Sequence, residues 1–577
     1  NVKKDYQING FIKNGNLNFL NQFKANNLNL NFDINKNQYS LTNLSVEIND
    51  VKFDSPLIEI KEKKNLFFVK GKILNNERNF SRDELDNIFV SLFNIPSIKK
   101  VRFSSENDIS FDVNKKFKFN NLSIKSNINI EELIVKNNFI NLKSYLPDLD
   151  EFINFEKHKI TINYNKNKID IKGEGKILFK KKFDLINYRL LKKNDELIFD
   201  TRTNLKNNKL LIDFLNYEKK ENLDASILIK GNLKKNKKIN LDLVSLVENN
   251  NKISFKKLNL QKDFKIISLD SFNFNYLNNK KKRNQLLLKK NNSNYTIEGE
   301  SFDATKLINK IMDSSDESVS LFSNLNSKIN IKIKKTFIDE VYFTNNLSGV
   351  LSFKNNKIDN LDLKSNFPNN KNINLLIKTN DQQEKITSLS TDYPKPLIKR
   401  YKFIKGFEEG YLVFNSIKKD KNTNSLLVIN NFKVKEVPVF AKLLSLASLQ
   451  GIADLLTGEG IRFTDFEMKF TSTKDLTTIK EMYAIGPAVS ILMDGYIESE
   501  KLVSLRGTLV PATTINRTIA SIPLLGKILV GKKTGEGIFG VSFKIKGLPK
   551  DLKTTVNPIK TLTPRFITRT LEKIKKN

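Results

Sequence analysis

The sequence predicts an all-β-dominated chain, an elongated curled antiparallel sheet forming a repeating β-groove, with a few amphipathic helices placed mainly towards the C-terminus. Three observations carry that expectation. Apolar and polar residues alternate with period two from residue 28 to about 430, the signature of half-buried strands. Asn-Asn, Asn-Lys and Lys-Asn pairs punctuate the alternation, and Asn suits hairpin turns because it tolerates positive φ. Strands at this spacing are far more numerous than the ten or so an open sheet accommodates without curling, and no Pro/Gly/Ser-rich linker divides them into separate sandwiches. A long sheet curled into a trough, each segment stacked on the last, is the economical geometry.

The clearest strands come in order along the chain. Leu28, Leu30, Phe32 and Ile34 alternate with polar neighbours, as do Leu44, Val46 and Ile48. Further on, the same pattern holds for Ile329, Ile331 and Ile333, for Leu361 and Leu363, and for Ile373, Leu375 and Ile377. A loose glycine signature recurs at Gly71, Gly173, Gly231, Gly299 and Gly547. Glycine inside a strand marks a bulge or bend, so its recurrence points to a sheet that curves repeatedly in one sense.

Helices are few. Ser81 and Glu84 form a capping box that opens Leu85, Ile88, Phe89 and Leu92 at helical spacing before Pro96. Others are expected at 304–312, 437–456, 516–530 and 564–576. Near residue 430 Asn and Lys thin out while Gly, Ala, Thr and Leu rise, which divides the chain into a groove region, 1–430, and a C-terminal region, 431–577.

Composition closes off several function classes. With 39% hydrophobic residues the chain can build a large core and is not intrinsically disordered. No cysteine and one histidine among 577 residues leave no thiolate site, no Cys nucleophile and no His cluster for zinc. The 98 Lys+Arg against 63 Asp+Glu give a net charge of +35, but arginine, the preferred fork for phosphate and guanine, is scarce. Lysine interleaves with Asn and Ile throughout, as an AT-rich coding bias produces, and no nucleic-acid partner is expected. Attraction to anionic lipid surfaces, about 1 kcal/mol per Lys near the headgroups, is the functional alternative.

Individual motifs carry little chemistry. Gly535, Gly537 and Gly540 form a G-x-G-x-x-G, but the following 541–545 reads as a strand where a dinucleotide site needs a helix; turn or bulge glycines, and no cofactor, are expected. Asp148, Asp150 and Glu151 lack the Gly and distal Glu of a calcium loop, so a solvated loop and no metal are expected. His158, among Glu156, Lys157 and Lys159, reads as a surface residue. The chain begins Asn1-Val2-Lys3-Lys4 with no apolar run of eighteen residues, so it is expected to be either soluble or a fragment cut from an N-terminal anchor, the missing Met favouring truncation.

The segment 437–456 is apolar round most of its circumference through Val439, Phe440, Leu443, Leu444, Leu446 and Leu449, yet it contains Lys442 and Asp454. It reads as a helix across the end of a sheet, or as one that plugs an apolar trough or lies in a membrane interface. Leu524 and Leu525 in the next helix, and Phe566 and Ile567 in the basic amphipathic last one, extend this plug or membrane set.

From Phe432 to Leu571 a series of short blocks resembles the C-terminal region of the AsmA-like family, in its branch of large YhdP-type envelope proteins. The blocks include Val437-Pro438, 443–451, Gly458-Glu459-Gly460-Ile461, Ile485-Gly486-Pro487-Ala488, 507–512, 522–526, 535–539 and Val556-Asn557-Pro558. Upstream, Gly299 to Ala304 resembles a G-x-x-x-D-A step of the same proteins, whereas the first 290 residues match only in style. The resemblance implies a Gram-negative cell envelope, a periplasmic β-groove, an inner-membrane helix preceding this chain, and movement of phospholipid between inner and outer membranes.

The family offers no catalytic motif, and no enzyme activity is expected. Physical chemistry supplies a mechanism: a trough of Leu, Ile, Val and Phe holds acyl tails while the headgroup stays in water. The candidate groove residues are Leu28, Leu30, Phe32, Ile34, Ile329, Ile331, Ile333, Leu361, Leu363, Ile373, Leu375 and Ile377, with Phe466, Met468 and Phe470 in the C-terminal region. The expected partners are phospholipid, the inner and outer membranes, and an outer-membrane or periplasmic protein. A structural or assembly factor for outer-membrane proteins, pairing client strands at exposed sheet edges, is the alternative.

Overall fold

A computed structural model describes residues 6–19, 23–48, 51–64, 66–80, 98–116, 118–137, 140–179, 182–234, 238–261, 263–308, 326–399, 405–436, 460–487, 489–499, 501–511, 541–549 and 551–556. The alternating segments fold as strands, which compose a 31-stranded mixed sheet and a separate two-stranded ribbon. The described helices are short: a helical turn after Asp303, the 3-10 turns Ile140–Ser144 and Asp213–Leu215, and Lys395–Ile398. The expected helices at 85–96, 437–456, 516–530 and 564–576 lie outside the described residues.

The chain forms two compact units, one essentially Asn1–Lys289 and the other running from Lys290 to Asn577. The composition change near residue 430 lies inside unit 2, within the strand Asn422–Glu436. In unit 1 successive strands pair antiparallel with their sequence neighbours from Gln7–Phe19 onward. Left-handed asparagines close many of the turns, with φ of 68° at Asn167 and 49° at Asn194, the conformation asparagine tolerates best after glycine. In unit 2 the strand Asn294–Asp303 pairs parallel with Ser327–Phe337, a departure from the purely antiparallel expectation. A parallel step needs a crossover connection, not a hairpin. Here it follows Asp303, whose carboxylate accepts from the Thr305 backbone N–H at 3.2 Å to cap the helical turn.

Strict alternation is interrupted where a residue enters the left-handed region. In Lys405–Lys419 the buried side passes from Phe407 to Leu412 across Glu409 and Gly410, with φ of 62° and 92°. Each such bulge bends its strand and increases the local twist. Twist compounded over many strands curls a sheet, and in each unit the curl covers the sheet's own apolar face. In unit 1 a cluster of Phe80, Val101, Phe103 and Ile130 forms there. In unit 2 a larger cluster extends from Ile398 through Phe432, Phe463 and Ile491 to Phe543 and Ile545.

Candidate functional site

Side chains directly opposite each other on paired strands project to the same face, so the register of unit 2 assigns each candidate residue to a side. Ile329, Ile331 and Ile333 stand opposite Leu351, Gly349 and Leu347. Leu351 and Gly349 face Leu361 and Leu363, which face Ile377 and Leu375, with Ile373 opposite Ser365. The row passes through Leu389, Phe414 and Leu427 to Met468, with Phe466 and Phe470 beside it opposite Ile429 and Ser425. It ends through Met482, Met493, Gly507, Phe543 and Val556. All eleven candidates in this unit therefore lie on one face, in a band crossing thirteen consecutive strands, roughly 58 Å at about 4.8 Å per strand.

Burial varies along the band. Ile333, Leu361 and Ile377 are buried, whereas Ile329, Ile331, Leu363, Ile373, Leu375, Phe466, Met468 and Phe470 are half-buried. The band is narrowest at the strand Lys385–Thr391, where Leu389 is flanked by Thr387 and Thr391 on the same face. The opposite face carries ion pairs among its apolar residues: Lys469 pairs with Glu467 at 2.8 Å and Arg506 with Asp494 at 2.7 Å, and Tyr483 donates to Glu467 at 2.8 Å. The arrangement has the chemistry of a surface for apolar chains.

In unit 1 Phe32 lies opposite Gly10 and Leu41, and Ile34 opposite Ile8 and Tyr39. Leu30 is buried, and Leu28 is half-buried opposite Gly15. From Leu41 the face continues through Ile58, Gly71, Ile109, Ile124, Tyr164 and Ile169. Of the recurrent glycines, Gly71 lies on this row opposite Ile58 and Ile109, and Gly173 shares the side of Ile169 in the strand Lys168–Phe179. A Cβ on Gly173 would come within 2.3 Å of the Tyr188 ring, so glycine is required there for close packing.

His158 is not a surface residue. It is buried at 2% exposure, because Lys157 takes a φ of 51° and the register shifts between Glu156 and Lys159, turning the next side chain inward. Its Nε2 donates to the Lys176 carbonyl at 2.9 Å, the Tyr188 hydroxyl stands 3.5 Å from Nδ1, and the Phe155 ring packs edge-on at 5.3 Å. Burial lowers the His158 pKa below the ordinary histidine value and pushes Tyr188 up to about 12.

A second polar cluster anchors the insert between the strands Glu196–Leu205 and Ala225–Lys234. Asp184 accepts from the backbone N–H groups of Lys206 and Asn207 at 2.7 and 2.8 Å and from Asn208 Nδ2 at 2.7 Å. Lys219, fully buried, donates to the carbonyls of Lys206 and Asn208 at 2.6 and 2.8 Å, and Tyr217 donates to Glu248. Sequence reasoning missed this cluster; its only signal is a break in alternation between 206 and 224.

Asp150 and Glu151 are exposed, as a solvated loop requires, but Asp148 is half-buried with its Oδ2 out of water; no group of three or more metal-binding side chains occurs among the described residues. The strand Val541–Leu548 follows the G-x-G-x-x-G as expected, but those glycines, and Val439, Phe440, Leu443, Leu444, Leu446, Leu449, Leu524, Leu525, Phe566 and Ile567, lie outside the described residues. No described helix is long and apolar enough to cross a membrane. Neither a family model nor a curated protein matches the chain.

Proposed function

We propose that this chain is a non-enzymatic conduit, or a segment of one, for phospholipid passing between the membranes of a Gram-negative envelope. In this reading it lies in the periplasm and is held to the inner membrane by a helix outside this sequence. The observation that carries the reading is the unbroken row from Ile331 to Phe543. Exposing an acyl chain to water costs about 0.8 kcal/mol per CH₂, on the order of 13 kcal/mol for about sixteen carbons. A continuous apolar face removes that barrier. A row of like side chains without a strong polar anchor lets the tails slide, while the headgroup remains in water. The AsmA-like sequence blocks agree with this reading.

The test uses the alternation itself. Leu375 and Leu376 are neighbours, both half-buried, on opposite faces of one strand. A photoreactive residue at position 375 is expected to crosslink phospholipid, and one at 376 is not. Equal labelling at both positions, or none at either, contradicts the conduit.

One observation favours the second reading, an assembly factor acting by strand addition. The strand Gln7–Phe19 pairs on one side only among the described residues, and its Phe11, Leu17 and Ile8 are 66%, 54% and 53% exposed. A crosslinker at Phe11 that captures an extended outer-membrane client segment would support that role.

A further inference from the structure

The fold separates two edges of unit 1 that carry similar numbers of cations but different numbers of carboxylates. In unit 1 the connections along one edge of the sheet are the short ones following the strands that end at Asn35, Lys63, Asn114, Asn165, Lys193, Lys234 and Leu260. Counting each connection with its flanking strand residues, the described positions hold twelve lysines and three carboxylates, Asp195, Glu196 and Asp263. All twelve lysines are exposed. Among the described residues, the one ion pair these lysines make is Lys265 with Asp263, at 3.4 Å. The opposite edge of the same unit, counted likewise, has eleven cations and eight carboxylates. The corresponding short-turn edge of unit 2 has seven lysines and six carboxylates. A coding bias towards lysine loads the two edges of unit 1 almost alike; what it does not explain is the shortage of carboxylates along the first edge, which leaves that edge with the larger net positive charge.

The geometry of the edge matches a second property. Successive turns along one edge are two strands apart, about 10 Å, comparable with the Debye length near physiological salt, so their potentials overlap. At the base of the turns the inner face is apolar: Val113 stands opposite Phe119, and Tyr164 opposite Ile169. The Asn114 side chain holds one turn in shape, accepting from the backbone N–H groups of Lys116 and Lys118 at 3.0 Å each. Cationic tips beside an apolar wall fit an amphiphile with an anionic head.

We propose that the basic turn edge of unit 1 is the surface on which this chain meets the phosphate groups of anionic phospholipid headgroups at a bilayer. The lysine ammonium groups donate to phosphate oxygens, and the apolar face begins directly behind them. This rests on the lipid-conduit reading for the class of ligand, and it adds an orientation, with one edge of unit 1 towards the headgroups.

The experiment is flotation of the full chain with vesicles of phosphatidylcholine alone or mixed with phosphatidylglycerol, at low and high salt. The wild type is expected to float with the mixed vesicles at low salt and to be released by salt. The variant K115Q/K116Q/K166Q/K168Q is expected to lose binding by about tenfold or more. The variant K136Q/K143Q/K209Q/K220Q, which removes equal charge from exposed positions of the other edge, is expected to stay within about twofold. Equal losses in the two variants, binding that ignores phosphatidylglycerol, or capture of duplex DNA in place of vesicles would overturn the proposal. A chain that floats but carries no acyl lipid abandons the conduit and keeps the edge. One that carries lipid but ignores anionic vesicles abandons the edge alone.

Discussion

In unit 2 the central row of the inner face, from Ile331 to Phe543, is made of Ile, Gly, Leu, Phe and Met, and two hydroxyls beside it bond to backbone, Ser365 to the Asn345 carbonyl at 2.8 Å and Thr391 to the Asn372 carbonyl at 2.9 Å. In unit 1 the curled face buries His158 and Asp184, and the insert beside it buries Lys219. The difference shows two uses of one architecture. Unit 2 carries an apolar row across one face. Unit 1 uses the hydrogen-bonded groups Asp184 and Lys219 to hold an insert in place, and along one edge its lysines are balanced by few carboxylates. A buried polar group is tolerated only when paired, so these clusters are points where unit 1 is fixed in shape.

The comparison breaks most visibly in the core of unit 2. Phe463 is 2% exposed and stacks on Phe432 at 5.3 Å, so Phe463→Ala is expected to cost about 3–5 kcal/mol. Hydrogen exchange should show the loss of protection confined to unit 2; loss in both units would mean that they unfold as one. Asp184→Ala leaves three donors at the insert without their acceptor and is expected to cost about 2–3 kcal/mol. The lost protection should centre on 206–224, and an unchanged insert would show that Asp184 does not hold it.

His158 sharpens the contrast through pH. Its folded pKa lies below the unfolded one because burial disfavours the imidazolium, so the unfolded chain binds the proton first. The stability it contributes is complete above the ordinary histidine pKa of about 6.5 and declines as pH falls below it, by at most about 1.4 kcal/mol per pH unit. Urea unfolding of His158→Gln against wild type between pH 7.5 and pH 5, a range set by that pKa of about 6.5, should show the difference shrinking as pH falls. A pH-independent difference would refute the linkage. The smallest effect is expected on the outer face of unit 2, where Arg506→Ala breaks an exposed ion pair and should cost under about 1 kcal/mol in the same assay.

The strands were legible because period two is a backbone property: once Ile331 and Leu375 are in strands, each shares a side with its alternate neighbours, although which side turns inward was not legible. The register that aligns them was not legible, since it depends on turns and bulges such as those at Lys157 and Glu409. A one-residue bulge reverses the side of the following residues, which is why a histidine flanked by charges is buried. The insert around Lys219 was hidden for a different reason. Its stability comes from hydrogen bonds to backbone carbonyls, which leave no side-chain pattern. The shortage of carboxylates along one edge could be seen only once it was known which turns share that edge.

The most direct test of the central claim is native mass spectrometry with lipid extraction on the full chain and on Leu389→Asp, which places a charge at the narrowest point of the apolar band. The account predicts several phospholipids per wild-type chain and a reduced number on a variant that circular dichroism shows to be folded. A folded wild-type chain free of lipid, or a variant loaded to the same extent, would contradict it.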